Sequence, residues 1–145
     1  MKAVFIYNFI NYIQWPDTVD TMDIGVLGSS DITQPLREIS YAKRTIKPYL
    51  AISELEDLAS IHNYDIIFIP DPAVGQLSRL KSMLKTAPVL LIGETEGLAQ
   101  EGVSINFINR DGKMRFEINK ESLVRANLAA SSQLLKVGII VEGTD

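Results

Sequence analysis

The sequence predicts an α/β fold. The expected form is a three-layer sandwich in which a mostly parallel central sheet carries a C-terminal antiparallel hairpin, an N-terminal aromatic helix and a long C-terminal helix. Three observations predict it. Short apolar runs bounded by turn residues, at positions 65–69 and 89–92, have the pattern of strands covered on both faces. Amphipathic stretches separate them at spacings that suit right-handed βαβ units. Beyond position 102 the pattern becomes strict apolar/polar alternation, the mark of a hairpin with one wet face.

Taken in order, residues 2–15 predict a first helix, with Phe5, Phe9 and Ile13 on one i, i+4 row and Pro16 as the stop. Ile6, Ile10 and Tyr12 carry the apolar surface almost all the way round, so this helix either lies between layers or meets a partner. Residues 22–27 predict a strand, followed by a short helix through Leu36 to Ile39 with Ser30 or Asp31 as its N-cap. Residues 44–52 predict a second strand, placed at a sheet edge by Pro48. Ser53-Glu54-Leu55-Glu56 has the form of a capping box, opening a helix to about Ile61. The buried strand at 65–69 leads to an amphipathic helix over 74–84 and a fourth strand at 89–92. Val103, Ile105 and Phe107 then alternate with polar residues, as do Met114, Phe116 and Ile118, across Asn109-Arg110-Asp111-Gly112. The polar side of that hairpin, Lys113, Arg115 and Glu117, reads as a solvated face. Val124, Leu128, Leu135 and Ile139 predict a single helix over 120–141, with small residues such as Ala129 and Ser131 allowing close approach to another element.

Composition narrows the function classes. The chain has 145 residues, 46% of them apolar, and reads as one domain over 1–145. That length buries roughly 68–70% of the unfolded chain's surface, so no staple is needed. No cysteine is present, and His62 is the single histidine, which removes thiol nucleophiles, Cys/His zinc sites and disulfide switches. The net charge is −4 and the basic residues are scattered, which argues against nucleic-acid binding. No apolar run approaches the roughly 20 residues of a membrane span, so direct membrane insertion is not expected. The apolar segment after Met1-Lys2 lacks a small-residue cleavage site, so it reads as the first element of a mature domain whose export signal has been removed.

Few residues suit catalysis. His62 lies in a polar connection and reads as a loop anchor, and no phosphate-binding, nucleophile-elbow or zinc motif occurs. No catalytic residue, metal or cofactor is therefore assigned. Ligands of open parallel sheets bind beyond the carboxyl ends of the strands. Here those ends carry Ser29, Ser30, Asp31 and Asp71, the candidate ligand-binding residues, with Glu94 completing a possible cation set alongside Asp31 and Asp71. The aromatic residues of the amino end, Phe5, Phe9, Tyr12 and Trp15, are the candidates for binding a protein partner.

Three segments in order resemble one family. They are Lys2 to Phe9 running to Trp15-Pro16; Gly97-Leu98-Ala99 continuing to residues 102–107; and Arg115-Phe116-Glu117-Ile118-Asn119 leading to Ser131-Ser132-Gln133-Leu134-Leu135. Together they are similar to the YfiR family of bacterial extracytoplasmic regulators, over positions 2 to about 141. The resemblance implies a non-enzymatic, periplasmic α/β domain that represses a membrane-bound diguanylate cyclase by binding its sensor region, lowering cyclic-di-GMP and restraining biofilm formation. It further implies sensor kinases as possible partners and a possible homodimer. Two departures stand out. Tyr64 occupies the place where many relatives carry a cysteine, so disulfide control is excluded, and Glu101-Gly102 replaces the usual Gly-Gly pair before the hairpin. A small-molecule sensor using the strand-end residues is the second expectation, and a weak metal-dependent hydrolase on the same carboxylates is the third.

Overall fold

Strictly buried four-residue runs set the centre of the sheet. The computed structural model describes residues 1–143, so the last two positions of the predicted 1–145 domain lie outside the described residues. In chain order the elements are α1 (Lys2–Tyr12), β1 (Ile13–Gln14), β2 (Thr21–Leu27), α2 (Thr33–Ala42), β3 (Tyr49–Leu55), β4 (Ile66–Ile69), α3 (Leu77–Leu84), β5 (Leu90–Gly93), β6 (Ile105–Arg110), β7 (Lys113–Asn119), α4 (Lys120–Arg125), β8 (Ala129–Ala130), α5 (Ser132–Val137) and β9 (Ile139–Val141). Seven strands form one sheet in the order β3-β2-β4-β5-β6-β7-β9, while β1 and β8 pair separately. All neighbours in the large sheet are parallel except β6 and β7, the predicted antiparallel hairpin.

Alternate residues of the same strands feed two separate apolar clusters. Ile24, Ile66, Phe68, Leu90 and Ile92 pack with Ile6 and Phe9 of α1 and Leu36 of α2. Ile67, Ile69 and Leu91 pack with Leu77, Leu80 and Leu84 of α3. The period-two alternation of a strand is what lets one run serve both sides. The hairpin turns at Asp111-Gly112, both in the left-handed region with φ of 55° and 77°, the conformation a two-residue type I′ turn requires.

Several expectations are corrected. The long C-terminal helix over 120–141 is instead α4, β8, α5 and β9. Asn127 takes a φ of 59°, and the Asn127 and Leu128 N–H groups bond the Val124 and Leu123 carbonyls at 3.0 and 2.8 Å, closing α4 in a Schellman motif. Ser131 then opens α5, its Oγ accepting the Leu134 N–H at 3.2 Å. The first helix ends at Tyr12 rather than residue 15 because Ile13 and Gln14 pair with Ala130 and Ala129.

The capping box at Ser53 opens no helix. β3 runs through it to Leu55 in a continuous parallel ladder against β2, and Glu54 instead accepts the Thr33 hydroxyl at 2.8 Å. A seven-residue ladder outweighs a local capping preference. β3 begins at Tyr49, not Arg44, since residues 43–46 are turned by bonds such as Ile46 N–H to Lys43 O at 3.0 Å, but it does lie at the sheet edge, as Pro48 implied. The α2 helix starts at Thr33 with Ile32 at its cap; Ser30 Oγ accepts the Ile32 N–H at 3.2 Å. Residues 71–76 form a 3₁₀ turn ahead of α3.

Candidate functional site

Helical geometry divides the amino-terminal aromatics between core and surface. Phe5 and Phe9, one turn apart, face the hairpin. Phe9 is 1% exposed, and its ring centroid lies 5.0 Å from that of Phe116 and 5.9 Å from that of Phe107. Phe5 packs on the same two rings at 5.9 and 6.1 Å and is partly buried. Trp15 is also partly buried, its indole N–H donating to the Asp65 carbonyl at 3.3 Å. Only Tyr12 of the four predicted partner residues is exposed. Phe9 is a core residue and is out of reach of anything docking on this surface.

The exposed row of α1 is a different one. Met1, Val4, Asn8, Asn11 and Tyr12 follow the i, i+3, i+4 spacing of a single helix face and carry no side-chain charge. Val4 is 50% exposed. The row runs on into a shallow depression formed by Tyr12, Gln14, Ala129 and Ser131, where β1 meets β8 and no lining side chain is charged. Sequence reasoning chose the richer aromatic row. The signal for the other row was the scarcity of charge along α1, whose one ionisable side chain in the first turn is Lys2.

The strand-end residues are brought together only in part. Ser30 and Asp31 line a cavity of about 340 Å³ together with Lys2 and Glu94, whereas exposed Ser29 and Asp71 do not line it. Glu94 accepts the Lys2 ammonium at 2.7 Å and the Asp71 N–H at 3.1 Å. Thr95 in turn donates its hydroxyl to Asp71. These carboxylates are therefore engaged with the protein itself. Among the described residues no three His, Asp or Glu side chains gather as a metal-binding group, which corrects the expectation of a shared cation at Asp31, Asp71 and Glu94. His62 anchors a loop, its Nε2 lying 3.1 Å from the Met83 carbonyl oxygen.

Two features lay outside the sequence reading. Glu117, expected in a solvated face, is 7% exposed because its strand is flanked by β6 on one side and β9 on the other. Its Oε1 has no hydrogen-bond partner. Asp65, beside Trp15, has its pKa pushed upward, first by burial and then by the nearby Asp23 carboxylate; the Asp23 N–H, 2.8 Å from Asp65 Oδ2, pulls it the other way.

Solved structures share the arrangement. The ABC domain in complex with L-Trp from Streptococcus pneumonia superposes with a TM-score of 0.59 at 12% identity, over 83% of this chain and 55% of that one. A conserved domain protein from Vibrio cholerae O1 biovar eltor str. N16961 gives a TM-score of 0.61 at 13% identity, over 96% of this chain and 58% of that one. The chain thus spans a little over half of each, and the likeness is one of fold. No curated protein matches the chain. Among the described residues no helix is long and apolar enough to cross a membrane. A family described as YfiR/HmsC-like matches residues 1–138, nearly the whole of the sheet and its helices, and the chain belongs to that family.

Proposed function

We propose that this chain is a non-enzymatic, periplasmic regulator that docks on the sensor region of a membrane-bound diguanylate cyclase and holds cyclic-di-GMP production down. Membership of the YfiR/HmsC-like family is the observation that carries the reading. The uncharged outer row of α1 supports it by supplying a surface from which water is readily displaced. Val4 and Tyr12 are the anchors, and Asn8 and Asn11 supply polar contacts between them. Trp15, partly buried and fixed by its bond to Asp65, supports the surface from beneath, and Phe5 and Phe9 hold α1 in place.

The test is fluorescence anisotropy between the purified chain and the purified sensor region of the membrane diguanylate cyclase of the same bacterium. Binding is expected, with Tyr12→Ala weakening it about 30-fold, as for a central aromatic anchor, and Val4→Asp abolishing it. Absence of binding, or equal binding by both variants, contradicts the proposal. A sensor kinase bound in place of the cyclase also overturns it as stated.

A second reading, a small-molecule sensor, is favoured by the cavity between α1 and the ends of β2 and β5, where Ser30 and Asp31 face the Lys2–Glu94 pair. A metabolite that binds there must raise the melting temperature.

A further inference from the structure

At the end of the sheet opposite the predicted strand-end site, α3 and α4 converge on the start of β5. Between them lies a cavity of about 350 Å³, within the range of small-molecule sites. Its wall is apolar, formed by Leu84, Val89 and Leu91, all buried members of the α3-side cluster. Its rim holds three cations, Lys81, Lys85 and Arg125, and no carboxylate lines it. Lys81 lies in the last turn of α3 and Lys85 is the residue that closes the helix. Glu101 and Glu121 belong to a neighbouring depression that shares Lys81, Ser122 and Arg125 with the cavity. Among the described residues none of the three cations forms an ion pair; Lys81 is held by the Glu101 carbonyl.

Two further observations point to a ligand. Ser122, 6% exposed, lines the cavity with its Oγ buried and without any hydrogen-bond partner. A buried hydroxyl left so has lost its water without gaining a partner, which a ligand acceptor or donor would supply. Its backbone N–H is occupied separately, by the Asn119 cap at 3.0 Å, so the hydroxyl plays no part in opening α4. Lys85 sits at φ 52°, ψ −108°, a backbone conformation that suits glycine, yet a long cationic side chain is placed there at the cavity mouth. Strain of this kind gathers at functional sites.

We infer that this cavity is a binding site for a small amphipathic carboxylate, its apolar body on Leu84, Val89 and Leu91 and its charged end among Lys81, Lys85 and Arg125. Guanidinium and ammonium donors strengthen their hold on a carboxylate when an apolar wall excludes water. The site is separate from the proposed docking row on α1 and does not depend on it.

The test is a titration of the isotopically labelled full chain with octanoate, followed through backbone amide shifts, with octanol, octylamine and inorganic phosphate as parallel arms. Saturable shifts are expected at residues 84–91 and 122–126, with octanol and octylamine at least about tenfold weaker, the loss of one charged hydrogen bond. Lys85→Gln and Arg125→Gln are each expected to weaken octanoate about fivefold, and Ser122→Ala about threefold without lowering the melting temperature. The inference is overturned if octanoate gives no saturable shifts there, if octanol binds as tightly, or if phosphate alone does. Variants that fold and bind octanoate like the parent overturn it too.

Discussion

The two sides of the sheet are packed from different materials. Under α1 and α2 the cluster includes Phe9, Phe68, Phe107 and Phe116, with Phe5 against it, and reaches the C-terminal residues Leu123, Leu128 and Leu134. Under α3 the buried cluster is aliphatic, built on Ile61, Ile67, Ile69, Leu77 and Leu80, and it opens at one end into a cavity rimmed by cations. Interlocked rings make edge and stacked contacts that fix one arrangement, whereas a smaller aliphatic layer leaves room at its margin. The difference teaches where each function belongs. In the two proposals above, the ring-packed side carries the docking row of α1, and the side under α3 holds the space for a ligand.

Substitutions on either side break or sharpen this contrast. Phe9→Ala removes a ring that meets Phe5, Phe107 and Phe116 and is expected to cost about 3–5 kcal/mol, read from urea midpoints at unchanged m. Leu80→Ala, fully buried under α3, is expected to cost about 3 kcal/mol; a cost above that of Phe9→Ala would reverse the ranking of the two sides. Gly138→Ala tests the attachment of β9 on the rigid side. Its Cβ would collide with Ile118 Cδ1 and lie 2.9 Å from Phe116 Cε2, so about 1–3 kcal/mol is expected to be lost and the exchange protection of residues 139–141 with it.

Lys85→Gly works in the opposite direction. It relieves a strained backbone at the cavity mouth and is expected to stabilise by about 1 kcal/mol, measured by thermal melting. The smallest effect concerns Asp65. Its raised pKa means that the folded state holds the proton more tightly than the unfolded one, whose carboxyl titrates near 3.9. Below that value Asp65 contributes nothing; as pH rises to the folded pKa a penalty accumulates, and it is fully present at neutral pH. Asp65→Asn is therefore expected to flatten that part of the stability profile, with its advantage over the parent growing as pH rises through the window. A profile unchanged by the substitution would remove burial of this carboxylate from the account.

The central sheet was legible because its information is local. Ile66-Ile67-Phe68-Ile69 and Leu90-Leu91-Ile92 are short apolar runs bounded by turn residues, the pattern of strands buried on both faces, and Asp111-Gly112 is a turn in its own right. The C-terminal third was not. Val124, Leu128, Leu135 and Ile139 keep a helical spacing, yet Val124 is 73% exposed, and the row is broken by Asn127 in the left-handed region and by Ser131 as a new cap. What selects that path is tertiary. β8 pairs with β1, β9 pairs with β7, and Gly138 lets the chain pass against Ile118. The candidate surface was only partly legible for a related reason, since an aromatic row on a helix is read equally well as core or interface until the opposing rings, Phe107 and Phe116, are placed. The cavity under α3 depends on cations some forty positions apart, Lys85 and Arg125, which no sequence window joins.

The measurement that bears most directly on the regulator is intracellular cyclic-di-GMP in the source bacterium lacking the gene for this chain and complemented with the exported protein. Loss of the gene is expected to raise the nucleotide and the parent chain to restore it. A folded Val4→Asp, Tyr12→Ala double variant is expected to leave it high, because the outer row of α1 no longer docks. Restoration by the double variant as complete as by the parent would contradict docking through α1, and no change on loss of the gene would contradict the regulator itself.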